Sequence, residues 1–206
     1  MIITPNSKKP ENYDPNFDIS DIPITSLIPL TDHYYSDNRA RLLETMKAEA
    51  ENFSQNSIAL FKGHYKHATV HDTDSTATWM PEWNFHYLFG LKDEFDCYGI
   101  IDFSNMETTI VLKEKSEETL IFEGGLCVDD DASFYGFTRF ISVDDLENFV
   151  RDRNAEKVYV MKGMIRDELS NYASFPWLDK MPQLDSKWLY FSLCKQRCIK
   201  SEEEIV

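Results

Sequence analysis

The stretch that decides the fold runs from Asp72 to Asp102 and reads DTDSTATWMPEWNFHYLFGLKDEFDCYGIID. Its first apolar run, NFHYLFG, ends at Gly90, and an acidic loop, LKDEFD, separates it from a second apolar run, CYGIIDF. Short apolar runs bounded by glycine and polar residues are typical of strands. The stretch therefore predicts two strands, near residues 84–89 and 97–103, with an exposed acidic loop between them.

Segments with similar character lie on both sides of this stretch. Buried strands are predicted near residues 57–61, 108–113, 138–143 and 157–161. Helices are predicted after Asp37, after Asp145 and over Trp188–Cys194. Strands that alternate with helices indicate an α/β layered sheet, here with about six strands.

The first predicted helix has one apolar stripe. Ser36 and Asp37 are suited to cap it, and its apolar residues recur at steps of three and four: Leu42, Leu43, Met46, Ala50 and Phe53. The charged residues of this helix lie largely off the stripe and are predicted to form a solvated face; they are Arg39, Arg41, Glu44 and Lys47.

Composition limits the classes of function. The chain has 206 residues, of which 42% are hydrophobic, and this favours a packed domain over disorder. The formal net charge of −15 repels phosphate backbones and anionic lipid, so neither nucleic acid nor membrane is an expected partner. The four cysteines contain no CxxC pair, and the N-terminus lacks a signal sequence, so reduced thiols and a cytoplasmic location are expected.

The first 30 residues differ from the rest. They contain five of the eight prolines and are predicted to form an arm along the surface. Residues 31–195 then form the folded domain, and residues 196–206 form the start of a linker.

Most catalytic signatures are missing from the sequence. It contains no G-x-S-x-G, H-E-x-x-H, Walker or G-x-G-x-x-G motif. One cluster has metal-ligand chemistry, but its threonine-rich surroundings favour a solvated loop over a metal site; it consists of His64, His67, His71, Asp72 and Asp74. Among the many carboxylate pairs, the loop with Asp93, Glu94 and Asp96 is the functional candidate because it lies between two predicted buried strands.

Several segments, taken in order, resemble one known family. The motifs are RARLLE (39–44), SIALFKG (57–63), DTD (72–74), PE-x-NF-x-YLFG (81–90), YGIID (98–102) and RCIKSEEEI (197–205). Together they resemble the N-terminal domain of prolidases and aminopeptidases P, the Xaa-Pro peptidases of the creatinase-like superfamily. The resemblance covers about residues 30–206 and implies a mixed sheet flanked by helices.

The resemblance also implies what the chain does not contain. In the family, the last motif marks entry into a catalytic domain with two divalent metal ions, manganese or similar, held by two Asp, one His and two Glu. Residues 1–206 are therefore expected to hold no catalytic residue, metal or cofactor. The implied role is dimerisation and substrate gating in a homodimer that acts on proline-containing peptides.

Two sites are implied by the resemblance at matching positions. The loop that lines the partner's cleft in some prolidases corresponds here to Lys92, Asp93, Glu94 and Asp96. The tryptophan of a W-x-G element that caps the partner's site corresponds to Phe122, which keeps an apolar ring but lacks the indole donor. The segment Trp79–Glu82 also lacks the arginine that is usual in relatives.

A second interpretation is a stand-alone module. The same fold occurs without catalysis in a histone-chaperone subunit, and the charge of −15 would suit basic protein partners.

Overall fold

The structure is a computed structural model. It describes residues 33–63, 82–91, 94, 97–123, 128–161, 175 and 177–199. Within those ranges, no helix has the length and apolar character needed to cross a membrane.

One mixed sheet of six strands forms the centre of the fold, in the order β4-β3-β2-β1-β5-β6. The central strand β1 pairs antiparallel with β2 and parallel with β5. The strand β3 likewise pairs antiparallel with β2 and parallel with β4. The strands are β1 (Ser57–Lys62), β2 (Tyr98–Asp102), β3 (Thr108–Leu112), β4 (Arg139–Ser142), β5 (Lys157–Val160) and β6 (Leu184–Asp185). The predicted α/β class and mixed sheet are confirmed.

The sheet has an apolar core on each face, and helices contribute to both cores. The helices are α1 (Tyr34–Glu49), α2 (Trp83–Phe89), α3 (Glu117–Glu123), α4 (Val128–Tyr135), α5 (Leu146–Asp152) and α6 (Trp188–Cys198). Because side chains alternate along a strand, Ala59 and Phe61 of β1 join the core built with α1, α2 and α6. Ile58 and Leu60 join the opposite core, which contains Leu146 and Val150 of α5. The whole of β1 is buried for this reason.

The segment predicted as a strand at 84–89 is a helix, so that prediction was wrong. The Glu82 side chain accepts a hydrogen bond from the Phe85 backbone N–H at the helix start, and Gly90 ends the helix in the left-handed conformation with φ 74°. Phe85, Leu88 and Phe89 follow the three- and four-residue spacing of a helix and are fully buried. The sixth strand is instead the two-residue β6.

Two helix starts differ from, or refine, the expectations. Helix α1 begins at Tyr34 with no side-chain cap, and Ser36 Oγ instead donates to the His33 carbonyl at 2.8 Å. The helix predicted after Asp145 is present as α5. It is preceded by a short 3-10 turn, in which Ser142 accepts a hydrogen bond from the Asp144 N–H.

Candidate functional site: the junction of α1, α2 and α6

The sequence-predicted site residues are only partly within the described structure. Lys92, Asp93 and Asp96 lie outside the described residues. Glu94 is 8% exposed, so the prediction of an exposed loop was wrong at this residue. Its carboxylate pairs with Lys115 at 2.9 Å, and both side chains are largely buried. Glu94 is therefore held to the segment between β3 and α3, because an ion pair shielded from water is costly to break.

Phe122 lies in α3, and its side chain is outside the described part of the structure. Its two preceding neighbours are apolar and open to solvent: Leu120 is 46% exposed and Ile121 is 79% exposed. The backbone therefore places Phe122 in the same helix as two exposed apolar residues, and its capping role stays a prediction.

The predicted histidine cluster, from His64 to Asp74, also lies outside the described residues. Among the residues that the structure does describe, no group of three or more His, Cys, Asp or Glu side chains is arranged to hold a metal ion. Cys97, Cys194 and Cys198 are free thiols.

The start of α2 is organised by a buried carboxylate. Glu82 accepts from the Phe85 N–H, and its Oε1 accepts from Asn84 Nδ2 at 3.1 Å. Burial raises the pKa of Glu82, although the hydrogen bonds from Phe85 and Asn84 and the charge of Arg197 act in the opposite direction. The amide of Asn84 thus lies between a carboxylate and a guanidinium.

That guanidinium belongs to the last turn of α6. Arg197 Nη1 donates to Asn84 Oδ1 at 2.9 Å. The neighbouring Gln196 is buried, and its Nε2 donates to the Asn38 carbonyl at 2.8 Å and to Tyr87 Oη at 3.1 Å. The end of α6 is therefore hydrogen-bonded to both α1 and α2.

A further contact fixes the residue after α6. Arg41 Nη2 donates to the Ile199 carbonyl at 2.8 Å, and Lys195 forms an ion pair with Glu49. Between these two contacts, α1 and α6 enclose an open groove of about 550 Å³ with a mainly apolar lining that includes Leu43 and Ile199. The chain leaves the described structure at this groove.

Arg39 is the residue that the sequence analysis missed. It was predicted on a solvated face, but it is 2% exposed, so that prediction was wrong. Its guanidinium donates to the carbonyls of Leu88 (2.7 Å), Tyr135 (2.8 Å) and Gly136 (2.9 Å). Burial lowers the pKa of Arg39 to about 10. The cation thus satisfies carbonyls at the C-terminal ends of α2 and α4, where a helix dipole favours positive charge.

A separate ion pair joins Asp102, the last residue of β2, to Arg153, which follows α5. Arg153 donates to Asp102, with Nη2 at 2.9 Å from Oδ1, and its Nη1 donates to Asn56 at 2.9 Å. Burial acts to raise the pKa of Asp102, but hydrogen bonds from Arg153 and Ser104 outweigh it and hold this pKa below its usual value. The pair links β2 to the end of α5.

The motif residues of three distant segments meet at the α1–α2–α6 junction. Arg39 and Arg41 come from RARLLE, Glu82 and Asn84 from PE-x-NF, and Arg197 from RCIKS. Their chemistry is that of charge-assisted hydrogen bonds to backbone and amide groups, which fix geometry. The junction is therefore suited to holding elements in register, and it contains no nucleophile paired with a base among the described residues.

Comparison with known proteins agrees with this architecture. The sequence profile of the family described as "Aminopeptidase P, N-terminal domain" matches residues 35–160. No curated protein sequence matches the chain.

Solved structures with the same fold come from bacteria and yeast. Aminopeptidase P from E. coli with the inhibitor Pro-Leu has a TM-score of 0.62 and 15% identity, covering 85% of this chain and 40% of that chain. For aminopeptidase PepP from Pseudomonas aeruginosa the TM-score is 0.62 at 17% identity, covering 85% and 40%. For Icp55 from Saccharomyces cerevisiae it is 0.61 at 17% identity, covering 85% and 38%.

The fold and the motif junction thus define an N-terminal domain of the aminopeptidase P class. With more than half of its residues matched, the chain belongs to the aminopeptidase P N-terminal domain family. It spans about two fifths of the length of the solved structures that it matches.

Proposed function

We propose that this chain is the non-catalytic N-terminal domain of an Xaa-Pro metallopeptidase, of the aminopeptidase P or prolidase class. The family match over residues 35–160 carries this proposal. The E. coli relative was solved with the inhibitor Pro-Leu, which supports proline-containing peptides as the substrate class. Residues 1–30 would be an arm and 31–195 the domain. Of the predicted linker 196–206, residues 196–198 instead complete α6, and the rest would be the start of a linker to the catalytic domain.

The proposed role is to form a cytoplasmic homodimer and to narrow access to the partner's catalytic cleft. The loop with Lys92, Asp93, Glu94 and Asp96 would line that cleft, and Phe122 would cap it. The buried Glu94–Lys115 pair supports a fixed position for Glu94 itself, because it anchors this residue to the segment before α3. The junction at Arg197 would hold the linker in register with the same domain.

Metal chemistry belongs to the catalytic domain in this proposal. Two divalent ions, manganese or similar, would be held there by two Asp, one His and two Glu. The residues that the structure describes include no group that fits such a centre.

The first test is the reading frame beyond Val206. A continuation with the five metal ligands supports the proposal. The longer protein should then hydrolyse an Xaa-Pro dipeptide or peptide, and residues 1–206 alone should not. Hydrolysis by the isolated chain would contradict the non-catalytic role.

The gating role is tested by Phe122→Ala in the longer protein. The substitution should change KM or kcat for a proline-containing peptide, because the apolar cap over the cleft is lost. Phe134→Ala is the matched control, since this phenylalanine is 45% exposed on the neighbouring helix α4. Equal kinetics for wild type and Phe122→Ala would contradict the gate.

The net charge of −15 favours one alternative, a stand-alone module that binds basic proteins. A natural stop codon after Val206 would favour this second function. It would also predict salt-sensitive binding of a basic protein such as a histone.

A further inference from the structure

The outer face of α6 is open to solvent and partly apolar. Leu189, Leu193 and Gln196 lie on its buried face. On the opposite face, Tyr190 is 38% exposed and Phe191 is 50% exposed. Two neighbouring aromatic side chains left in water on one helix face are typical of a contact surface.

The same helix is basic in an acidic protein. Between residues 186 and 201 the sequence has no Asp or Glu but has four cations, which are Lys187, Lys195, Arg197 and Lys200. Lys187 Nζ lies 4.2 Å above the Trp188 ring, beside the exposed aromatic side chains. Lys195 is bound to Glu49 and Arg197 to Asn84, so Lys187 is the cation beside the exposed aromatic side chains. Together with Tyr190 and Phe191 it is complementary to an acidic apolar surface.

Helix α3 provides such a surface. Its seven residues include Glu117, Glu118 and Glu123 and no basic residue. Glu117 and Glu118 are exposed, as are Leu120 and Ile121. Ile121, which is 79% exposed, can contact the aromatic side chains of α6. The glutamates beside it give α3 a charge opposite to that of Lys187.

We propose that the outer face of α6 binds α3 of a second copy of this chain. Leu120 and Ile121 would pack on Tyr190 and Phe191, and Glu117 and Glu118 of α3 would face Lys187 at the start of α6. The inference rests on the dimerisation part of the proposed function and names the contact that forms the dimer.

Size also favours a second copy. Helix α6 is about 16 Å long and α3 about 10 Å, from ~1.5 Å of rise per residue, so one helix pair makes a small contact. In a two-fold dimer the pair forms twice, which brings the total buried area closer to the ~1,200 Å² that stable interfaces need. A single docked peptide would form it only once.

The test is sedimentation equilibrium of the full 206-residue chain over a range of concentrations. Ile121→Ser and Phe191→Ser should each weaken self-association by about tenfold or more, because each removes an apolar side chain buried only in the dimer. Both residues are at least half exposed in the single chain, so the fold should persist, as circular dichroism would verify. Arg151→Glu, an exposed charge reversal on α5, is the control and should leave association unchanged.

Charge reversal gives the sharper result. Lys187→Glu and Glu118→Lys should each weaken association, and the double variant should recover most of the loss because the pairing is restored. If none of the four substitutions changes the dimer affinity, this inference is overturned. Dimerisation and the proposed function would then still stand. A chain that stays monomeric at high concentration would overturn the inference and the dimer role together, while the reading frame beyond Val206 still tests the peptidase assignment.

Discussion

Among single residues, Arg39 is a buried cation that holds three helices together by hydrogen bonds to backbone carbonyls. It lies in helix α1 and donates to the carbonyls of Leu88, Tyr135 and Gly136, which belong to two other helix ends. Each carbonyl is thereby satisfied without water, and one guanidinium does this because its donors form a planar fork. The three elements are fixed to one another at one point.

Arg39→Met should therefore lower the free energy of unfolding by about 3 kcal/mol or more, because buried carbonyls lose their charged donors. Urea denaturation followed by circular dichroism measures the change. Lys47→Met, on the exposed side of the same helix, is the control and should stay within ~0.5 kcal/mol of wild type. Equal losses for the two variants would contradict the role of Arg39.

Asp102 gives a prediction for pH dependence. Burial acts to raise its pKa, but Arg153 and Ser104 hold it below the ordinary value of 3.8. The folded pKa is depressed, so the stabilisation is fully present above the unfolded value and is lost as pH falls below about 4.

Asp102→Asn should destabilise the chain by about 2 kcal/mol at neutral pH and flatten the loss of stability below about pH 4. Arg153→Met should remove the same part of the pH dependence, because it deletes the donor. Thermal unfolding between pH 3 and pH 7 measures both. A profile for Asp102→Asn that runs parallel to that of wild type would contradict the assignment.

At the scale of elements, α6 is held by its last turn. Gln196 and Arg197 bind α1 and α2 through the Asn38 carbonyl, Tyr87 Oη and Asn84 Oδ1. The hydrogen bonds made by Gln196 are buried, so their loss removes one donor from each of two acceptors inside the protein.

Gln196→Ala should cost about 1–3 kcal/mol of stability, because two buried acceptors lose their donor. It should also speed amide hydrogen exchange in the last turn of α6 more than elsewhere. Cys198→Ser, an exposed change in the same turn, is the control. Unchanged exchange at residues 195–199 in Gln196→Ala would contradict the junction's role in holding α6.

For the whole molecule, the net charge of −15 affects the stability of the folded state. Like charges repel in the compact state, and dissolved salt screens this repulsion over a Debye length. Added salt should therefore favour the folded state.

Raising NaCl from ~20 mM to ~300 mM should raise the melting temperature of the chain, since the Debye length shortens and self-repulsion falls. Scanning calorimetry measures the change. A melting temperature that falls with added salt would show that attractive ion pairs outweigh the net repulsion.

The sequence by itself determined the α/β class, five of the six strands and the family. Those strands are continuous apolar runs that end at glycine or charged residues, and such runs are local signals. It also determined α1, α5 and α6, whose apolar residues recur at helical spacing. The sequence also identified the motifs that contain Arg39, Asn84 and Arg197, but it did not predict the groups that these residues bind.

Only the tertiary structure decided the state of residues 83–89 and the burial of Arg39. Alternating aromatics fit a strand as well as a seven-residue helix, and the choice depends on the Glu82 cap, the left-handed Gly90 and the core that takes Phe85 and Phe89. Arg39 is buried because two helix ends, 49 and 96 residues away, bring their carbonyls to it. Contacts at that separation leave no periodic trace in the sequence, and only the folded chain creates them.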